Sequence, residues 1–455
     1  MVNLISDSIL HKEGRLEKSD LRKTFQRAMK PPSAWQVGVE IEKLGTLYPT
    51  GKALPYSGPT SVNRVHQSLI DHFGWQPMQE EGHVLALYRE CSSITLEPGA
   101  QHELSTCPYP NLQGCFQEFL RHLKELVPIS NTLGIRWLSL GMQPVSSLEE
   151  TEWIPKNRYR IMSERFKKTG ALGHAMMKHT AGIQTSLDYS DEKDACDKFR
   201  VGMALSPIVA AMAANSPITH GKPNGYLSYR TQAWLETDPA RCGFFPEVFS
   251  ESFSFEDYIR YALKTPMLFI QRKGDWISMD PVPFEQFLEK GHNGYTPIYA
   301  DWELHLSTLF LEVRFHPYLE LRSSDNPSPE FLFSIPALWK GILYNASARE
   351  EAWNRVKDWT WNERLSIYHS IPKEGLKTTV RGRPILSIAK DLLEIAKNGL
   401  KEEQEEEIPF LEPFIELITQ EERSPAERIL EKWDGVWNGK IEFLLDFVDS
   451  FKLLK

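Results

Sequence analysis

Two acidic residues stand two positions apart near the start of the chain. They are Glu40 and Glu42, within the sequence GVEIEK at residues 38–43. Side chains two positions apart in a β-strand point to the same face, so these carboxylates are predicted to lie side by side. Neighbouring carboxylates repel each other unless a cation lies between them. The pair therefore indicates a cation site, and the polar outer face of an antiparallel sheet is the alternative.

A second acidic segment reads ITLEPGAQHELS at residues 94–105. Its Pro-Gly pair is typical of a tight turn between two strands, and such a turn brings Glu97 near Glu103. Oxygen ligands of this kind suit Mg²⁺, with Mn²⁺ as the alternative, better than they suit zinc. An ordinary hairpin with a polar face is the alternative. That alternative is weaker here, because two acidic strands now need an explanation instead of one.

Two later segments carry polar residues in the same alternating pattern. The sequence TAGIQTSLD at residues 180–188 places Gln184 on the polar face of a predicted strand, where its amide oxygen is a candidate ligand. The run LEVR at residues 311–314 places Glu312 and Arg314 on one face of a strand, and the run LELR at residues 319–322 places Glu320 and Arg322 on one face. An arginine in such a position can clamp a phosphate or a carboxylate with two hydrogen bonds. The alternative is a set of exposed ion pairs, which contribute little to stability.

A loop-rich stretch at residues 214–241 carries arginine and aromatic side chains among turn residues. Loops often supply binding groups. Arg230, Trp234 and Arg241 are therefore candidates for holding and covering an amino-acid carboxylate. A surface loop with ordinary packing aromatics is the alternative.

Several common catalytic motifs are missing from the sequence. It contains no G-x-x-x-x-G-K-[ST] phosphate loop, no G-x-G-x-x-G, no G-x-S-x-G, no H-E-x-x-H and no paired C-x-x-C. A Rossmann cofactor site, a hydrolase triad and a zinc site therefore have no support. If the protein binds a nucleotide, we expect its phosphates to be held by carboxylate-bound magnesium and by arginines.

The elements that must position these residues mix strands and helices without a regular βαβ alternation. Strands are predicted at residues 36–46, 84–89, 93–96, 101–105 and 180–188, and helices before residue 30 and at residues 63–73, 111–133 and 192–214. This order favours an α+β fold with a largely antiparallel sheet. After Pro384 the sequence turns strongly helical. We therefore divide the chain into a catalytic body, residues 1–385, and a helical C-terminal appendage, residues 386–455.

Composition narrows the class of protein further. The 455 residues include 52 Lys and Arg against 61 Asp and Glu, a net charge of −9, which argues against a nucleic-acid partner. No run of about 18 apolar residues is present, so no membrane span is predicted. Five cysteines are too few for a disulfide scaffold. Together with an N-terminus that lacks a secretory signal, they favour reduced cysteines and a cytoplasmic location.

Taken in order, five segments resemble the glutamate–cysteine ligases of the plant and proteobacterial type. The matching strings are GVEIEK, SITLEPGAQHELS, KNRYRIM, ANSPITHGKPNGYLSYRTQAW with the following TDPARCG, and EVRFHPYLELR. The likeness runs from about residue 33 to about residue 345 and is weaker in the last hundred or so residues.

The resemblance implies a catalytic fold like that of glutamine synthetase, a curled antiparallel sheet, or funnel, flanked by helices. It also implies ATP-dependent ligation of the γ-carboxylate of L-glutamate to L-cysteine, the first step of glutathione synthesis. By the same resemblance Mg²⁺ would be held by Glu40, Glu42, Glu97, Glu103, Gln184 and Glu320. Arg230 would bind the glutamate carboxylate, and Arg322 would contact the transferred phosphate. Further substrate-side or ATP-side contacts would come from Asn215, Trp234, Arg241 and Arg314.

Three alternatives stay open at this point. The first is a γ-glutamyl ligase with another amine acceptor, the second is a non-catalytic metal-binding relative, and the third is a phosphotransferase of the guanidine-kinase type. Plant members of the family need a late cysteine for their redox-switching disulfide, and the last cysteine here is Cys242. The absence of that cysteine and of a visible plastid transit segment favours a bacterial cytoplasmic member. The oligomeric state is not predicted.

Overall fold

The structure, a computed structural model, describes residues 14–455. The strands, in chain order, are β1 (Val37–Leu47), β2 (Lys52–Ala53), β3 (Gln76–Glu80), β4 (His83–Arg89), β5 (Ser92–Leu96), β6 (His102–Ser105), β7 (Ile135–Leu138), β8 (Gly182–Leu187), β9 (Ile218–Thr219), β10 (Lys222–Pro223), β11 (Cys242–Gly243), β12 (Phe269–Arg272), β13 (Asp275–Ser278), β14 (Phe310–Leu311), β15 (Val313–Phe315), β16 (Leu319–Asp325), β17 (Thr379–Val380) and β18 (Arg383–Pro384).

The α-helices are α1 (Lys23–Gln26), α2 (Val62–Phe73), α3 (Leu112–Leu133), α4 (Asn157–Thr169), α5 (Gly173–His179), α6 (Glu192–Met212), α7 (Tyr229–Leu235), α8 (Phe255–Lys264), α9 (Phe284–Lys290), α10 (Tyr299–Leu306), α11 (Ser334–Leu343), α12 (Ala346–Asn354), α13 (Trp361–Glu374), α14 (Ile385–Glu403), α15 (Ile408–Glu416), α16 (Pro425–Asp434) and α17 (Ile441–Phe447). Short 3-10 or π turns lie at Lys18–Asp20, Pro32–Ala34, Pro246–Phe249, Pro329–Phe331, Gly375–Lys377, Glu405–Glu407, Leu417–Glu421 and Ser450–Leu454.

One antiparallel sheet of ten strands organises the fold. Its order is β15-β16-β8-β1-β6-β5-β4-β3, and β2 and β7 pair with the far half of β1. With 11 residues, β1 is long enough to pair with β8 and β6 through its first half and with β7 and β2 through its second. The predicted α+β fold with a large antiparallel sheet is confirmed. Within the described residues the sheet does not close, since β15 and β3 are its two edges.

Local sequence patterns predicted five of the ten strands of the sheet to within one or two residues. The predicted strands at residues 36–46, 101–105 and 180–188 correspond to β1, β6 and β8. The long predicted helix at residues 111–133 is α3, which begins where the Asn111 side chain accepts a hydrogen bond from the backbone N–H of Gly114.

The N-terminal surface helix is the exception among the predicted elements. Residues 1–13 of that prediction lie outside the described residues. In the described remainder α1 has only four residues. Its Phe25 is buried and packs against the rings of Phe255 and Phe315. A segment that buries an aromatic side chain is fixed by distant parts of the chain, which its own charge pattern does not reveal.

Helices α3 and α6 cover the face of the sheet that carries its apolar side chains. On β16 and β15, Leu321 and Val313 pack against Gly202 of α6. A Cβ atom at that glycine would lie 2.9 Å from the end of the Leu321 side chain, so a larger residue there would force that side chain to shift. On β1, the buried ammonium of Lys43 lies over the ring of Phe119 in α3, 5.5 Å from its centre. The polar side chains of the same strands must therefore face the other way.

The helices that follow residue 384 pack against the body. Helix α14 packs along α11, and its residues Leu392 and Leu393 belong to the same buried cluster as Leu338 of α11. A buried ion pair joins Lys340 of α11 to Glu407, with 2.7 Å between Nζ and Oε1. The division of the chain at residue 385 stays a prediction.

The cysteines depart from the expectation that all five are reduced. Cys91 and Cys107 form a disulfide, and Cys115, Cys196 and Cys242 are free and buried. The bond joins the residue before β5 to a residue just after β6, so it ties the open end of the hairpin that turns at residues 97–101. The prediction that the cysteines are reduced is wrong for this pair. The reason is that the antiparallel pairing of β5 with β6 brings together two residues 16 apart in sequence.

Candidate active site

The polar face of the sheet forms the floor of a cavity of about 980 Å³. The start of α4, helix α10 and the hairpin of β12 and β13 supply the other walls. All six residues that the sequence predicts as metal ligands line this one cavity: Glu40, Glu42, Glu97, Glu103, Gln184 and Glu320. They come from β1, β6, β8, β16 and the turn after β5, so the sheet gathers side chains that lie up to 280 positions apart, from residue 40 to residue 320.

Strand register explains how these side chains meet. In the antiparallel pairing, Glu42 is directly opposite Glu103, and Glu40 is directly opposite Gln184 on the other side of β1. Residues directly opposite in a sheet share a face and lie close together. Glu97 is held by the turn itself, whose backbone bonds join its N–H to the carbonyl of Gln101 and its carbonyl to the N–H of Ala100.

Burial and mutual repulsion disfavour the charged forms of three of the carboxylates. Burial, followed by the charges of Glu103 and Glu97, raises the pKa of Glu42 to about 8. Burial is also the main reason that the pKa values of Glu40 and Glu103 are raised. Such crowding costs stability in the absence of a cation and favours cation binding. It is the electrostatic arrangement expected of a divalent-ion site.

Glu320 is affected in the opposite direction. Although burial by itself raises the pKa of this carboxyl, Arg314 and Arg322 lower it well below its usual range. The Nε of Arg314 donates a hydrogen bond to Glu320 over 2.7 Å, and Nη1 of Arg322 donates to the same oxygen over 3.1 Å. Arg322 also donates to the amide oxygen of Gln184 over 2.6 Å. Two arginines therefore line the cavity beside the carboxylates.

The donor set fits Mg²⁺ bound in part by a ligand's phosphates. Among residues 14–455, no group of three or more His, Cys, Asp and Glu side chains is arranged to hold a metal ion by itself. Mg²⁺ commonly takes only one or two protein carboxylates and completes its octahedron with phosphate oxygens and water. The spread of the carboxylates along the floor is compatible with that mode, and the ligand roles of the six residues stay predictions.

The four candidate substrate-side residues differ in whether their side chains reach the cavity. Trp234 lines the cavity. Arg230 is buried next to it, where its Nη2 donates to the backbone carbonyl of Arg322 over 3.1 Å. Neither Asn215 nor Arg241 lines the cavity, and both are fully buried in the scaffold.

The hydrogen bonds of Asn215 and Arg241 account for their burial. Arg241 donates to Asp238 and to the carbonyls of Thr308 and Pro266. Asn215 donates its side-chain amide to the carbonyls of Ser139 and Asn326. Their N–H groups are used in fixing backbone segments, and neither side chain reaches the cavity, so a substrate contact for either has no geometric support.

Two basic residues that sequence reasoning did not single out also line the cavity. Lys156 and Arg158 stand at the start of α4, within the string KNRYRIM, for which the resemblance implies no residue roles. Burial, together with the charge of Arg158, lowers the pKa of Lys156 to about 7, while Glu97 and Glu80 act against that shift. These cations face the acidic floor and are suited to hold an anionic group between them and the carboxylates.

The sequence is similar to a protein family and to individual relatives over most of its length. The sequence model of Glutamate-cysteine ligase family 2 (GCS2) matches residues 36–446. The chain is 37% identical over 430 residues to the chloroplastic glutamate–cysteine ligase of Brassica juncea. The aligned region covers 94% of this chain and 83% of that protein. The chloroplastic enzyme of Arabidopsis thaliana is likewise 37% identical over 430 residues, 94% of this chain and 82% of that one.

Two solved structures show the same fold at low sequence identity. The glutamate–cysteine ligase of Francisella tularensis in complex with AMP aligns with a TM-score of 0.57 at 13% identity, covering 91% of this chain and 87% of that one. The bifunctional glutathione synthetase of Pasteurella multocida aligns with a TM-score of 0.51 at 12% identity, covering 97% of this chain and 54% of that one. The predicted fold class is confirmed by these likenesses.

The predicted cytoplasmic location is wrong by the same comparison, because the curated relatives are chloroplastic proteins. Net charge and cysteine count describe the folded surface and its redox chemistry, and they do not distinguish between aqueous compartments. In the described part of the chain no helix is both long and apolar enough to cross a bilayer.

Proposed function

The chain belongs to glutamate–cysteine ligase family 2, and from this premise we propose that it uses ATP and Mg²⁺ to join the γ-carboxylate of L-glutamate to the amine of L-cysteine. The products are γ-glutamylcysteine, ADP and phosphate, in the first step of glutathione synthesis. The observation that carries the proposal is the convergence of five carboxylates, Gln184 and two arginines on one cavity wall.

The chemistry requires activation of a carboxylate. A carboxylate carbon is a poor electrophile and oxide is a very poor leaving group, so an amine does not attack it at neutral pH. Transfer of the ATP γ-phosphate to the glutamate γ-carboxylate gives γ-glutamyl phosphate, whose phosphate leaves readily. Attack by the cysteine amine then forms the amide and releases phosphate. No protein nucleophile takes part in either step.

The first step brings two anions together. At a separation of ~4 Å and an effective dielectric constant of ~20, each pair of unit charges repels by about 4 kcal/mol. Mg²⁺, when bound, would supply positive charge that offsets the negative charge of the phosphates. The carboxylates of Glu40, Glu42 and Glu103 would supply hard oxygen ligands for it, and burial, together with repulsion from neighbouring carboxylates, raises the pKa values of all three.

Arginine and lysine side chains are assigned to the remaining negative charges of the substrates. Arg322 is fixed by its hydrogen bonds to Glu320 and Gln184, so its guanidinium is oriented before any substrate binds. We assign it to the transferred phosphate and Arg314 to the nucleotide side. Arg230 is assigned to the glutamate carboxylate, with Trp234 as the adjoining wall. Lys156 and Arg158 are added here as ligands for an anionic substrate group on the opposite side of the cavity.

The test is a measurement of phosphate release and product mass. Purified protein is incubated with ATP and Mg²⁺, then with glutamate, with cysteine and with both. We expect phosphate release to depend on both amino acids and mass spectrometry to find γ-glutamylcysteine. Equally fast release without an amine acceptor contradicts the ligase function, a different condensed product identifies another acceptor, and a phosphorylated amino acid as the end product identifies a phosphotransferase.

A further inference from the structure

The start of α4 combines an unusual charge arrangement with a position on the cavity wall. Helix N-termini carry partial positive charge and are stabilised by anions. Here Lys156 occupies the N-cap position and Arg158 lies in the first turn, which contains no acidic residue, and the Lys156 side chain forms no capping hydrogen bond. Two cations at the positive end of a helix are unfavourable, so another group must hold this segment in place.

That group is Glu80, the last residue of β3. Its Oε1 accepts a hydrogen bond from the backbone N–H of Asn157 over 3.3 Å, which satisfies one of the free N–H groups at the start of α4. The negative charge of Glu80 also acts on both Lys156 and Arg158. Glu80 therefore caps the helix from a different element of the fold.

The same oxygen of Glu80 holds a third element. It accepts a hydrogen bond from Nε1 of Trp276 on β13 over 3.2 Å. Trp276 packs edge to face on Phe269 of β12, with 5.0 Å between the ring centres, and both line the cavity. One half-buried carboxylate thus connects the β3–β4 turn, the start of α4 and the β12–β13 hairpin.

The neighbouring acid shows how specific this arrangement is. Glu81 is exposed. Its one hydrogen-bond donor among the described residues is the side-chain amide of Asn157, over 2.9 Å. Within residues 14–455, the backbone N–H of Asn157 and the Nε1 of Trp276 donate to Glu80 and not to Glu81. Glu81 carries the same charge one residue away and also lines the cavity, so it tests whether the bonds of Glu80 matter or only the presence of an acidic residue near α4.

We propose that Glu80 is a positioning residue, which joins the start of α4 to the β12–β13 hairpin and thereby sets where Lys156 and Arg158 hold an anionic group of a substrate. The inference rests on the proposed function and adds a residue to it. The anionic group is a phosphate of ATP or a carboxylate of glutamate or cysteine. The experiment distinguishes these sources.

The experiment measures KM for ATP, glutamate and cysteine separately, and kcat, for three variants. We expect Glu80→Ala to raise the KM of the substrate that Lys156 and Arg158 hold by about tenfold, the scale of loss when a supporting contact is removed. We expect kcat to stay within about twofold, because Glu80 does not touch the reacting atoms. Glu80→Gln should restore much of the KM because its amide oxygen still accepts both hydrogen bonds. Glu81→Ala should leave every KM within about twofold.

Two further measurements keep the proposal separate from the overall ligase reaction. Calorimetric titration of Mg-ATP and of glutamate into each variant reports binding without turnover, so a wild-type protein that binds but does not ligate contradicts the proposed function and still tests Glu80. A double-mutant cycle of Glu80→Ala with Trp276→Phe should be non-additive if the two residues act together. Unchanged KM values and affinities in Glu80→Ala, equal effects of Glu81→Ala, or strict additivity with Trp276→Phe overturn the proposal.

Discussion

Glu42 of β1 lies directly opposite Glu103 of β6, so two buried carboxylates share one face of the sheet. Their repulsion is visible in the pKa of Glu42, which burial and the charge of Glu103 raise to about 8. A sheet selected for stability alone would not place two acids in this register. The arrangement becomes favourable when a divalent cation binds. The two carboxylates therefore lower the stability of the metal-free fold and favour the cation that the ligase chemistry needs.

Glu103→Gln should abolish turnover while the protein stays folded. The amide keeps the size of the side chain but removes a charged oxygen ligand, so we expect phosphate release to fall by about 100-fold or more. Loss of repulsion with Glu42 should leave the melting temperature of the metal-free protein unchanged or higher. Phosphate release and thermal melting followed by circular dichroism check the two parts.

The control for this prediction is Glu412→Gln, the same change on the exposed surface of α15. It should alter neither property. Near-normal activity of Glu103→Gln would remove Glu103 from the set of metal ligands.

The metal-free protein should lose stability as pH rises from about 4.5 to about 8. The pKa of Glu42 is raised from 4.5 to about 8 on folding, so the folded state binds this proton more tightly than the unfolded state. Its stabilising contribution is complete below the unfolded value and is lost as pH rises through the folded value. Melting temperatures across this range should fall less steeply in Glu42→Gln than in the wild type.

Mg²⁺ should act in the opposite direction, because it competes with the proton for the same oxygens. We therefore expect the metal to raise the melting temperature more at pH 8.5 than at pH 6. Parallel curves for the wild type and Glu42→Gln, with or without the metal, would contradict this account.

Removal of the Cys91–Cys107 disulfide should destabilise the protein. Closing a loop of this length, with the two cysteines 16 positions apart, contributes about 3 kcal/mol in the chain-entropy model. We expect Cys91→Ser to lower the free energy of unfolding by about that amount in urea titrations. A reductant should lower the stability of the wild type and leave Cys91→Ser unchanged, and an equal response of both would show that the bond does not form in solution.

Glu407→Gln should weaken the attachment of the C-terminal helices. Glu407 accepts hydrogen bonds from Lys340 over 2.7 Å and from the backbone N–H of Leu112 at the start of α3, also over 2.7 Å. Removing its charge leaves a buried ammonium without its anion, so we expect a loss of about 3 kcal/mol. The exposed neighbour Glu406→Gln should change little.

The shape of the same unfolding curve tests the proposed division of the chain. If residues 386–455 share the core of the body, Glu407→Gln should shift a single cooperative transition. Two separate transitions would support an independent C-terminal domain.

Much of the carboxylate wall was predictable because strand periodicity is local. Alternation in GVEIEK decides that Glu40 and Glu42 share a face of their strand, and alternation in LELR decides the same for Glu320 and Arg322. Since the apolar residues between them must be buried, the polar face had to be the accessible one. The same reasoning did not separate the ligand-side residues of the loop at residues 214–241 from the structural ones, because a loop has no repeating pattern.

The sequence by itself therefore determined the chemistry of the floor: oxygen ligands, arginines beside them, and an antiparallel sheet to carry them. Only the tertiary structure decided that Arg241 donates to Asp238 and that Cys91 forms a disulfide with Cys107. It also decided that Glu80 joins α4 to Trp276. The physical reason is range. Side-chain direction along a strand follows from covalent geometry within a few residues, whereas these contacts depend on how elements distant in sequence pack against one another.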